Sequence, residues 1–213
     1  MYPPMHFQEH NSERLQALVK QFPLASILTP CLHSDLNNIC QVPVLYEPSR
    51  NVFIAHVAKN NPLAQCDKRS VKLHFNGDNC YLSPSYSNNK TLPSWLYSSV
   101  QVTAKVVIIK SGIEKEKIMS QLTTHFEQTF KPMWNINDVP IHSRQVMYQQ
   151  LSFIEFTPTH WSGNFKLSQN KSPDVRARIK QSLETCQHAI YCTVILGIKK
   201  ALSSLWINFG KVN

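Results

Sequence analysis

Residues 71–83 read VKLHFNGDNCYLS, and their spacing decides the class of fold. Val71, Leu73 and Phe75 stand at every second position, the period of a strand with one face in a core and the other toward solvent. Asn76-Gly77 separates that run from Asn79–Ser83, and Asn-Gly between two such runs is the strongest short hairpin signal available. The segment is therefore expected to form an antiparallel hairpin.

The same period recurs on both sides. Leu24–Thr29, Ile39–Tyr46 and Val52–Val57 read as strands upstream, with Glu47-Pro48-Ser49-Arg50 as a turn, and Ser98–Lys110, Leu151–Thr157 and His160–Leu167 read as strands downstream. Helical spacing appears between them. Asn11-Ser12-Glu13 opens a helix that sets Leu15, Leu18, Val19 and Phe22 on one face, and helices are expected over Ile113–Phe130 and within Asn137–Gln150. Ser172-Pro173-Asp174 places a capping residue, a proline at the first helical position and an acid in the first turn, which opens a last helix to about Cys186. The expected fold is mainly β with helices, α+β in class: a small barrel flanked by helices. Five glycines form no GxGxxG, so a doubly wound nucleotide fold is disfavoured.

Composition bounds the function. With 213 residues the chain can bury a real core, and 42% hydrophobic against 16% charged residues argues against disorder. The start, MYPPMHFQEH, does not read as a signal peptide, and the apolar run AIYCTVILGI at 189–198 falls short of the roughly 20 residues a spanning helix needs, so no membrane role is expected. Six cysteines lack a CxxC pair and read as reduced thiols of a cytoplasmic protein. Cys186, His188 and Cys192 come nearest to a metal pattern, but positions two apart on a helix face different sides, so no metal site is assigned. The net charge of +9 is uneven, with 14 Lys+Arg to 11 Asp+Glu over residues 1–159 and 8 to 2 over 160–213. That basic end is a candidate contact to a polyanion, or simply a solvated basic surface.

The stretch FIAHVAKNNPLAQ, residues 53–65, carries the chemistry. An apolar strand gives way to Lys59, Asn60 and Asn61, with Pro62 next. Asn61 suits a helix N-cap and Pro62 a first helical residue, which makes a plain capped turn. A helix start also directs free N–H groups and a partial positive charge forward, and with Lys59 and Asn60 alongside the same stretch reads as a phosphate cradle. The residues alone leave both readings open.

Five pieces, MYPPMHF, VFIAHVAKNNP, VKLHFNGDNCYLSPSY, LPSWLYSSVQVTAKV and FKLSQNKSPDVR, stand in one order over residues 1 to about 183. Together they resemble the FMN-binding negative transcriptional regulators of the PaiB type. The resemblance implies a split β-barrel with flanking helices over residues 1–186, a homodimer, and FMN in clefts between subunits; residues 187–213 form a C-terminal helical extension outside it. It places Lys59, Asn60 and Asn61 beside the flavin phosphate, with Ala55 and His56 on the preceding strand. The backbone of Ile39, Cys40, Gln41 and Val42 would follow the polar edge of the ring, and Ile27 and Leu28 would give apolar contact. Lys166, Gln169 and Asn170 would approach the flavin from the partner chain. Three positions depart from the family pattern: Ile39-Cys40-Gln41 replaces an alanine-threonine-histidine run, Ala55 a glycine, and Leu96 an asparagine.

Three functions are open on this reading. The first is an FMN-binding transcriptional regulator whose basic end contacts DNA. The second is an FMN-dependent oxidoreductase of flavin reductase type, for which no catalytic residue is assigned because His56 and His74 read equally as structural histidines. The third is a split-barrel binding module that has lost the flavin.

Overall fold

A computed structural model describes residues 3–30, 37–87 and 89–185. The expected extension at 187–213 lies outside them, as do Cys186, His188 and Cys192. In chain order the elements are β1 (Gln8–Glu9), α1 (Ser12–Gln21), β2 (Leu24–Pro30), β3 (Asn37–Pro43), β4 (Leu45–Glu47), β5 (Val52–Ala58), β6 (Ser70–Leu82), β7 (Ser94–Ile109), α2 (Gly112–Glu127), α3 (Ile141–Tyr148), β8 (Leu151–Lys166) and α4 (Pro173–Thr185). The strands form one sheet in the order β3-β2-β6-β7-β8-β5-β4, with β1 on β8. The order does not close on itself, so the barrel is split, and β3 and β4 are its edges among the described residues. The described residues divide into two compact units.

The larger unit comprises residues 12–75 and 100–162. Val52, Phe53, Ile54 and Ala55 of β5 are all buried, so both faces of that strand are covered, which explains its continuous apolar run. One face meets the helices: Val52 and Ile54 pack with Ile118, Met119 and Leu122 of α2, with Tyr148 and with Phe153. On the other face Phe53 stacks on Phe75 at 5.6 Å between centroids and on Trp161 at 5.5 Å. Offset and edge-on aromatic contacts of this kind add to the burial of the rings themselves.

The hairpin expected at Asn76-Gly77 does not form. β6 runs unbroken through it, and neither residue takes the positive φ that a type I′ turn requires of both. Val71, Leu73, Phe75 and Gly77 alternate inward, and the alternation slips one place at Asp78–Asn79 before Cys80 and Leu82 resume it. That phase slip is what a bulge does to a strand. The signal was local, and the pairing of β6 with its neighbours β2 and β7 overrode it. The two strands expected over 151–167 are likewise one. Pairing of β8 with β5 ends at Phe156 and with β1 begins at Gly163, so Pro158 lies where its missing N–H costs no bond to either strand.

The smaller unit holds residues 3–11, 76–99 and 163–185 of those described. Ile179 and Leu183, one turn apart on α4, are buried with Leu82, Leu96, Phe165 and Leu167. The Trp95 indole N–H donates to Asn79 Oδ1 at 2.9 Å, and Asn164 Nδ2 donates to the Tyr97 hydroxyl at 3.0 Å.

Candidate functional site

The turn after β5 is built as the sequence suggests. The Asn61 carboxamide oxygen accepts from the Leu63 N–H at 2.9 Å, and Asn61 N–H donates to Ala58 C=O at 2.9 Å. The chain then makes a single 3-10 turn, Pro62–Gln65, pinned by the fully buried Leu63. Its first N–H groups are served by Asn61, so the capped-turn reading describes the backbone. The donors left for a ligand among the described residues are side chains: Lys59 and Asn60 are both exposed, and Lys59 is held in place by its own N–H bond to Gln150 C=O at 3.0 Å.

β3 packs against this turn. Burial pushes the Cys40 thiol up, opposed by the Leu63 backbone and the Asn61 side chain beside it, and β3 packs on the Pro62–Gln65 turn there. Along β3, Cys40 and Val42 face the core while Ile39 and Gln41 face out. In register across from them on β2, Ile27 pairs with Cys40 and is fully buried, whereas Leu28 pairs with Ile39 and is half-buried. Ile27, Cys40 and Val42 therefore have inward side chains, and the outward apolar surface belongs to Leu28 and Ile39. Gln41 Nε2 donates to the Ser26 hydroxyl at 2.9 Å. Because β3 ends the sheet, its outer backbone edge has no strand partner among the described residues.

Ala55 is fully buried, and His56 beside it is half-buried with Nδ1 enclosed and lacking a partner among the described residues. Burial lowers the His56 pKa below its usual value, so the ring is neutral at pH 7.

The FKLSQN stretch lies in the smaller unit. Gln169 spends its amide on its own turn: its oxygen accepts from Leu167 N–H at 2.8 Å and its nitrogen donates to Phe165 C=O. The turn is closed by Ser168, buried at a φ of 64°. Lys166 lies over the Tyr97 ring at 6.0 Å and, with Asn170 and Lys171, lines a cavity of about 510 Å³ that also holds Ser83 and Ser87. Leu96 is 1% exposed in the core of this unit, where an asparagine amide would need buried partners.

Sequence reasoning passed over a second cavity, in the larger unit. About 640 Å³ in volume, it is lined by Lys59, by Ile113, Lys115 and Lys117 of α2, and by Gln145 and Tyr148 of α3. Burial first, then the neighbouring Glu116, hold the Tyr148 phenol up at about 12; its hydroxyl lies by that carboxylate without a well-formed hydrogen bond. Glu116 itself pairs with the buried Arg144. The i, i+4 spacing of Ile113 with Lys117 and of Ile141 with Gln145 marked these faces, but each alone reads as a solvated helix face.

An open antiparallel sheet flanked by helices, with a basic turn packed against an edge strand, defines the split-barrel class of flavin-binding folds. The model of the family described as "Putative FMN-binding domain" matches residues 1–160. An uncharacterized protein of Emericella nidulans is 26% identical, over 73% of this chain and 79% of its own. The protease synthase and sporulation protein PAI 2 of Bacillus subtilis is 23% identical over 60% of this chain, and the match spans only 61% of that relative. Among solved structures, the FAD and heme binding protein of Mycobacterium smegmatis shares the fold at a TM-score of 0.60 and 14% identity, covering 80% of this chain and 78% of that one. The chain belongs to the FMN-binding domain family and is PaiB-like; FMN is the cofactor that membership assigns. The residues present suit that group: Lys59 and Asn60 offer exposed donors to a phosphate, the β3 edge offers backbone groups, and Leu28 with Ile39 offers apolar surface to a ring.

Proposed function

We propose that this chain binds FMN as a homodimer and acts as a negative transcriptional regulator. The observation that carries the flavin reading is the packing of the Lys59–Asn61 turn, capped by Asn61, against the edge strand β3. Lys59 and Asn60 hold the phosphate, the edge backbone orients the ring, and Leu28 and Ile39 keep water from one side of it. When bound, FMN supplies reversible electron uptake, and the neutral His56 ring on β5 adds no charge to the site. A second subunit covers β3, whose Ile39 is 67% exposed at an edge that lacks a strand partner among the described residues. α4 provides the described part of the DNA contact, with Arg178 exposed beside Arg176 and Lys180.

The test is a titration of the purified protein with FMN, monitored by flavin fluorescence. Lys59→Ala should weaken binding about tenfold, the loss of one charge-assisted contact. A mobility shift on promoter fragments at low salt, with oxidised and reduced FMN, then tests regulation; no shift in either state excludes direct DNA binding. The cavity that includes Lys59 favours a second reading, an FMN-dependent oxidoreductase with room for a nicotinamide substrate. NAD(P)H oxidation by the FMN-loaded protein would select it, and absence of that reaction would remove it. Dimer formation without any flavin binding would leave the third reading, a binding module that has lost the cofactor.

A further inference from the structure

We infer that the cavity of the smaller unit beside Lys166 binds an organic acid, a carboxylate carried on an apolar body. At about 510 Å³ it has the size of a small-molecule site. Its whole lining comes from that one unit: Phe7, the connection between β6 and β7, the end of β8 with the turn that follows, and α4. The floor is apolar. Leu82, Leu96 and Ile179 are buried there, and Leu92 stands at the mouth, 87% exposed. An apolar body entering the cavity covers that leucine and takes the place of water over the floor.

The polar groups set the charge of the ligand. Lys166 and Lys171 both line the cavity, neither has a carboxylate partner among the described residues, and the lining includes no aspartate or glutamate. The turn held by Ser168 and Gln169 folds the chain between them, which brings lysines from either side of it to one cavity. Lys166 is half-buried with its ammonium 6.0 Å from the centre of the Tyr97 ring, so it has lost part of its water without gaining an anion. Ser168, also in the lining, is 6% exposed, and its hydroxyl has no hydrogen-bond partner among the described residues. A carboxylate answers all three groups, with two acceptor oxygens for the ammonium groups and lone pairs left for the hydroxyl. A phosphate suits the cavity less well. Phosphate sites draw on backbone N–H groups or an arginine fork, yet the lining holds no arginine. The Leu167 and Lys171 N–H groups of the turn are already given to Gln169 Oε1 at 2.8 Å and Ser168 C=O at 3.0 Å.

Calorimetry on the full-length protein tests this with octanoate and phenylacetate, with phenylacetamide as the uncharged match and inorganic phosphate as the competing anion. Saturable binding of at least one acid is expected, about tenfold weaker or more in Lys171→Gln and lost in Lys166→Gln/Lys171→Gln, with phenylacetamide and phosphate both binding more weakly than that acid. Lys171 is exposed, so the single variant should melt as the wild type does, and the melting curve of the double variant checks its fold. Neither acid binding at millimolar concentration, the amide binding as well as its acid, or an affinity unchanged in Lys171→Gln each overturns the inference. Phosphate binding as tightly as the acids overturns it too, in favour of a phosphate ester. FMN is titrated against the same preparations, and its affinity should not respond to Lys171→Gln; a parallel loss would assign that lysine to the flavin and overturn the inference. The response of FMN to Lys59→Ala bears on the flavin reading alone, so the two can fail separately.

Discussion

At the scale of single residues, position decides what a side chain can do. His56 ends an apolar run in a motif that invites a catalytic reading, yet it is half-buried and its pKa is lowered by desolvation. A histidine that is harder to protonate when folded binds more protons when unfolded, so stability rises with pH between its folded pKa and the ordinary value of 6.5. Unfolding free energy should therefore fall as pH drops below about 6.5, and His56→Gln should flatten that slope in denaturant titrations at successive pH values. Phe53 is fully buried between Phe75, Tyr46 and Trp161, and Phe53→Ala should cost about 3–5 kcal/mol, read as a lower denaturation midpoint. The departures from the family pattern are also residue-scale matters. Leu96 and Ala55 are packed in cores and Gln41 is paired with Ser26, so each is accommodated by its neighbours.

At the scale of elements, the turn after β5 joins backbone economy to chemistry. Asn61 closes the 3-10 turn with its side chain, which leaves Lys59 and Asn60 to face outward. Asn61→Ala should lower stability by about 1 kcal/mol, a melting shift of roughly 2–4 °C for a chain of this size. It should also weaken FMN binding, because the turn that aims Lys59 loosens. Gln169 does the corresponding work in the smaller unit, bridging Phe165 and Leu167 across a turn that Ser168 completes in a left-handed backbone conformation. Replacing Ser168 with glycine relieves the strain of that conformation and should not destabilise the protein, whereas Gln169→Ala leaves the turn's N–H and C=O without partners and should.

At the scale of the whole molecule, a ligand that binds only the folded chain stabilises it by mass action. FMN at 100 times its Kd should add about 2.7 kcal/mol to the unfolding free energy, visible as a rise in melting temperature that Lys59→Ala diminishes. The sequence by itself determined the class. Period-two runs, a change to helical spacing at 12–22 and 113–130, and the Ser-Pro-Asp start of the last helix were enough to give antiparallel sheet with flanking helices, because each signal is local and each matches its element. Five ordered motifs gave the family and pointed to Lys59–Asn61. Tertiary structure decided the rest. It carried β6 straight through Asn76-Gly77, since pairing with neighbouring strands outweighs the preference of two residues. It also turned Ile27, Cys40 and Val42 inward while leaving Leu28 and Ile39 outward, because facing depends on register with a neighbour that no single strand encodes. The cavity at Lys59 needed most from the fold: its lining comes from Lys59 and from residues of α2 and α3 far along the chain, and only the packing of those helices beside β5 brings them together.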